Sequence, residues 1–167
     1  MAVAGGKVRP GDSHYQLIRP RHMPGPETTR IHGLLESDLA AAPPLDQVLD
    51  DLLRAISDRP LVAHVAPVEQ GFLGAALATR GLELANPMID TAALARELRS
   101  RSRLAIGTRR GPPIGLGDLA RSLGLPVHRP HHADGDALTT AQVFIALATH
   151  LDVSKAQTVA SLARPKL

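Results

Sequence analysis

The 167-residue sequence has no cysteine and no tryptophan, one tyrosine and two phenylalanines. Without cysteine there can be no disulfide, no thiolate metal site and no cysteine nucleophile, so carboxylates and imidazoles are left for acid–base and metal chemistry. Aromatic residues make up 2% of the chain. The core therefore has to be aliphatic, and stacking of bases on aromatic rings is not available as the main binding device. No stretch approaches the roughly 18 unbroken apolar residues of a membrane span. The opening from Met1 to Lys7 also lacks the long apolar centre of a secretion signal. A soluble cytoplasmic protein with no membrane partner is the expectation.

What is present suits one domain with a real core, since hydrophobic residues account for 44% of the sequence. Nineteen Lys and Arg against sixteen Asp and Glu give a formal net charge of +3, a modest attraction to phosphate. The arginines cluster at Arg19, Arg21 and Arg30, and again at Arg96, Arg99, Arg101, Arg103, Arg109 and Arg110. They are either ordinary solvated charge or a surface that follows a phosphate backbone.

Along the chain, the turn-forming Lys7–Asp12 separates Ala2–Ala4 from Tyr15–Ile18, and the first twenty residues read as a hairpin. Pro20 to Pro26 ends any strand. Ile31–Leu34 reads as a loop, with Ser37 and Asp38 capping a short turn. A helix is expected over 46–56, with apolar positions at 45, 48, 49, 52, 53 and 56. Leu61–Val65 is of strand type and leads past Pro67 into a helix over 68–79 that stops at Gly81. Met88–Asp90 is a second short strand, feeding a helix over 91–99. Residues 100–113 read as an exposed basic loop, and 115–123 as a helix ended by Gly124. The last helix carries apolar residues at 137, 141, 144, 145, 148 and 151. Strands alternating with helices indicate an α/β domain. It should occupy residues 1–152, with 153–167 as a loosely held C-terminal tail.

Chemistry concentrates at the entrance of that last helix. His131, His132, Asp134 and Asp136 place four titratable groups within six positions, more than a helix cap needs. A carboxylate on a first helical turn can bind a hard divalent cation, and an imidazole titrating near neutrality can take up a proton. A second such place is Leu61–Leu73, where a strand runs into a helix. Glu69 falls in its first turn, and Phe72, Leu73 and Leu77 are expected on the buried side. Taken alone, Glu69 is a surface acid complementing the helix dipole. Taken with Asp136, it suggests a shared metal site. Gly115-Leu116-Gly117-Asp118-Leu119-Ala120 fits the dinucleotide pattern G-x-G-x-x-A, but Arg109–Pro113 before it cannot be a buried strand, which excludes that reading.

These stretches resemble the signatures of the DEDDh 3′–5′ exonucleases, the group that includes the epsilon proofreading subunit of bacterial DNA polymerase III and ribonuclease T. The third signature, His-x-Ala-x-x-Asp-Ala with a Thr further on, is met by His131, Ala133, Asp136, Ala137 and Thr139 or Thr140. The second is met by Val62-Ala63-His64, Ala66 and Phe72-Leu73, with Val65, Val68 and Glu69 standing where the family has Asn, an aromatic residue and Asp. Ile31-His32-Gly33 and Asp90-Thr91 are similar to two further family segments, and the similarity runs from Lys7 to about Leu151.

The resemblance implies a ribonuclease-H-like exonuclease fold and cleavage of phosphodiesters at nucleic acid 3′ ends, assisted by two Mg²⁺ or Mn²⁺ ions. It further implies His131 as general base, Asp136 and Glu69 as metal ligands, and His132 and Asp134 as loop residues without a role. Partners would be a single-stranded DNA or RNA 3′ end and a DNA polymerase subunit. The family's first signature, a strand ending in D-x-E-T-T-G-L that supplies two of its four acids, is not found. Glu27-Thr28-Thr29 is no substitute, lying in a Pro-rich stretch with no Asp two residues earlier. The expectation is thus an N-terminally truncated fold whose central first strand is missing. That would leave strand edges unpaired, at about 1–3 kcal/mol for each buried unsatisfied group, and catalysis impaired. The alternative is a non-catalytic nucleic-acid-binding or polymerase-associated module.

Overall fold

In the computed structural model, which describes residues 1–101 and 115–164, the chain first turns at Gly5 and Gly6. Both take positive φ, 58° and 69°, as a tight two-residue hairpin requires. Strand β1 (Ala2–Ala4) therefore pairs antiparallel with β2 (Lys7–Arg9), in the register Ala2 to Arg9 and Val3 to Val8. The hairpin expected between Ala2–Ala4 and Tyr15–Ile18 is thus corrected. Two glycines place the reversal earlier, and Pro10–Asp12 becomes a single 3₁₀ turn.

A second correction falls on residues 26–34. Pro26 opens helix α1 (Pro26–His32), and Gly33, at φ 71°, closes it, the Pro-first, Gly-last pattern of a short helix. Ile31 and His32 are therefore helical, and Glu27, Thr28 and Thr29 form the first turn of α1. Helix α2 (Glu36–Ala41) follows, its entrance closed by the Asp38 carboxylate, which accepts from the Leu35 N–H at 3.2 Å.

Helix α3 (Leu45–Ile56) forms where the apolar spacing places it and buries Val48 and Leu49. Strand β3 (Leu61–Ala63) and strand β4 (Met88–Asp90) pair in parallel, Leu61 to Met88 through Ala63 to Asp90. Helix α4 (Ala66–Ala78) connects them and packs back against both strands. Among the described residues this pair and the β1–β2 hairpin are separate two-stranded sheets. The parallel pair rests on α7 (Ala133–Ser154) through β3, and the hairpin rests on it through β2.

Helices α5 (Thr91–Arg101) and α6 (Leu116–Ser122) pack on α7 as well. The main core lies there: Ile89, Leu94, Leu119, Ala120, Val143, Leu147 and Leu151 are all nearly inaccessible. Flanked by sheets and by helices, α7 buries more than the single stripe the spacing picked out. Val143 and Leu147 join Ala141 and Leu151 inside, whereas Phe144, Ile145 and Ala148 are only half-buried. The last described helix, α8 (Val159–Leu162), inserts Leu162 into the same cluster, so this described part of the tail packs on the core. The expected basic loop, with Arg103, Arg109 and Arg110, falls almost entirely outside the described residues.

Candidate active site

The approach to α7 is folded back tightly on the helix. Arg129 and His131 have positive φ, 29° and 63°, an uncommon conformation for side-chain-bearing residues. Two side-chain bonds from α7 and one glycine hold the loop in this shape. Thr139, fully buried, accepts from the His128 N–H at 3.0 Å and donates to the Gly135 carbonyl at 2.9 Å. Gln142 Oε1 lies 3.1 Å from His128 Nε2. Gly135 sits so close to the loop that a Cβ on it would stand 2.5 Å from the His128 carbonyl oxygen.

This framework brings two of the sequence-predicted residues together. The Asp136 carboxylate, in the first turn of α7, accepts from the His131 main-chain N–H at 3.3 Å. Asp136 is half-buried, and the His131 imidazole projects from an exposed residue. A carboxylate there also meets the positive end of a 22-residue helix. The arrangement fixes an anionic oxygen against the His131 main chain at the helix entrance.

His132 and Asp134 are not bare loop residues. His132 is the N-cap of α7 and its Nδ1 is hydrogen-bonded to Asp134, which lies in the first turn and faces Arg129 Nη1 at 3.7 Å. Partial burial works to raise the Asp134 carboxyl. The hydrogen bonds from His132 and the Gly135 N–H, with the positive charges of His132 and Arg129, outweigh it and hold the group below the ordinary carboxylate range.

Glu69 stands elsewhere, exposed in the first turn of α4. That helix packs through Ala66, Leu73 and Leu77, which share one face. Phe72 lies off that face and is 75% exposed, contrary to the buried position expected for it. At the mouth of α4, His64 Nδ1 lies 2.8 Å from Thr91 Oγ1, and Thr91 donates to the Ala63 carbonyl. Asp90 caps α5 by accepting from the Ala92 N–H at 2.9 Å. The Asp-Thr pair thus ties the end of β3 to the start of α5.

Glu69 and Asp136 are oxygen donors of the kind Mg²⁺ and Mn²⁺ take. Among the described residues, however, no three His, Asp or Glu side chains gather closely enough to hold a metal ion. This donor set does not fit a two-ion centre by itself. Sequence reasoning named Thr139 only as an alternative to Thr140 in the signature, and it missed the roles of Gln142 and Gly135 in holding the loop.

A parallel strand pair on a long helix, with the Asp136 carboxylate fastened to the His131 main chain at its entrance, is the frame of a nuclease-type α/β domain. The exonuclease family model, of the RNase_T type, matches residues 2–144. The chain belongs to this exonuclease family, in its DEDDh type. The fold is the ribonuclease-H-like exonuclease fold: the structure of exonuclease X in complex with 5′ overhanging duplex DNA superposes with a TM-score of 0.65 at 24% identity, covering 97% of this chain and 84% of that one. Similar curated proteins include the PolC-type DNA polymerase III of Streptococcus pneumoniae, 30% identical over 84% of this chain, and that of Thermotoga maritima, 31% identical over 86%. The chain spans only 9% and 10% of their respective lengths.

Proposed function

We propose that the chain acts on the 3′ ends of single-stranded nucleic acid in the manner of a 3′–5′ exonuclease, and that hydrolysis by the residues it carries is slow. The observation that carries this reading is the His131 N–H bond to Asp136, which joins the two ends of the His-x-Ala-x-x-Asp signature within one turn. In this reading the His131 imidazole takes a proton from the attacking water, and Asp136 and Glu69 would each offer an oxygen donor to Mg²⁺ or Mn²⁺. The polymerase names of the relatives favour work beside a DNA polymerase subunit. A second reading, a nucleic-acid-binding module without turnover, is favoured by the scattered donor set.

The test uses a 5′-labelled single-stranded oligonucleotide with Mg²⁺ or Mn²⁺. The expected outcome is shortening from the 3′ end that stops in EDTA, is abolished in Asp136→Ala and falls about 10²–10⁴-fold in His131→Ala, the span general-base catalysis usually covers. Unchanged cleavage by both variants would contradict the assignment. Binding that persists in EDTA and weakens with salt, with no shortening, would select the second reading.

A further inference from the structure

Around α7 from His131 and Asp136, a cavity of about 720 Å³ opens between Met1, the Ser13–Ile18 segment, helix α3 and the first turns of α7. Neither those two residues nor Glu69 lines it. Asp134 and Leu138 do, and each lies about 200° around the helix from Asp136. The volume is in the range of sites that hold one small molecule or one residue of a polymer.

Its chemistry is specific. Val48, Leu52, Val127 and Leu138 form an apolar floor, and Tyr15 stands at the edge. Tyr15 is the chain's single tyrosine and is 46% exposed. Its ring is stacked on His132, with centroids 5.6 Å apart and planes 10° from parallel. His132 is held by Asp134, and Asp134 faces Arg129, so the ring belongs to a braced series of contacts. The one arginine on the wall is set against this carboxylate, and no lysine lines the cavity. Such a wall suits a flat, uncharged group better than a phosphate.

We propose that this cavity receives a nucleobase of a single-stranded nucleic acid, stacked against Tyr15 over the apolar floor. The inference rests on the proposed action at nucleic acid 3′ ends and assigns that action a base subsite. Because every base offers a π-face, the site tolerates all four.

The whole chain is titrated in EDTA with single-stranded oligonucleotides carrying 2-aminopurine at the first, second or third position from the 3′ end. With no tryptophan in the protein, the emission belongs to the probe. At one of these positions binding should quench it. Tyr15→Ala should bind about 5- to 100-fold more weakly, the usual effect of losing one base–aromatic stack, without the quench, and Tyr15→Phe should keep both. Oligonucleotides that bind with no quench at any position, or a Tyr15→Ala variant that binds and quenches like the parent, would overturn the base subsite and leave the 3′-end reading standing. Failure of every oligonucleotide to bind, in EDTA and again with Mg²⁺ present, would overturn both.

Discussion

A methyl group at Gly135 would meet the His128 and Arg129 carbonyl oxygens at 2.5 and 2.7 Å, backbone atoms that cannot swing aside. Gly135→Ala should therefore destabilise the protein by about 1–3 kcal/mol, the usual cost of overpacking. Thermal unfolding checks this, and a variant melting with the parent would show that the loop does not lie against the helix as described. Asp134 makes a prediction with a definite sign. Its carboxyl is held below its ordinary value of 3.8, so near that pH the unfolded chain binds more protons than the folded one. Its contribution to stability is full above that value and is lost as pH falls through the lowered one. The group is largely in solvent, so the effect is small. Asp134→Asn should flatten the acid limb of a stability–pH profile below pH 4, and identical limbs would refute the pairing with His132.

Helix α7 was visible in the sequence as a periodic apolar run, yet its buried face was only partly legible. Periodicity reports one stripe, whereas α7 meets strands on one side and α5 and α6 on another. That is why Val143 and Leu147 lie fully inside. Leu147→Ala should cost about 2–5 kcal/mol in urea unfolding, as deletions in a closed core do. A loss below about 0.5 kcal/mol, typical of surface changes, would mean that the α5–α6–α7 cluster is not the core. The hairpin and α1 were misread for a different reason: their punctuation was there, in Gly5-Gly6 and in Pro26 with Gly33, but nearby prolines and turn residues offered competing breaks. Strands β3 and β4 and helices α3, α4 and α5 followed their apolar runs closely.

The arrangement of these elements explains why family and fold were legible while the site was legible only in part. His131 and Asp136 are neighbours along the chain, so their spacing already constrained their geometry, and the structure joins them by one hydrogen bond. Glu69 depends on how α4 is carried relative to α7, which no local pattern encodes. Nor could spacing reveal that Tyr15 and His132, far apart in sequence, would stack. Among the described residues β3 has a ladder partner on one side only, and the hairpin forms a sheet of its own. Two-stranded sheets are marginal alone, so both depend on α7, the same helix that carries the signature carboxylate. The most direct test of the account is therefore an amide titration of the ¹⁵N-labelled chain with a short single-stranded oligonucleotide in EDTA. The largest shifts should fall at residues 128–138, with the entrance of α4 around Glu69 responding as well. Binding whose shifts are confined to the Arg19–Arg30 surface, with the α7 entrance unmoved, would contradict it.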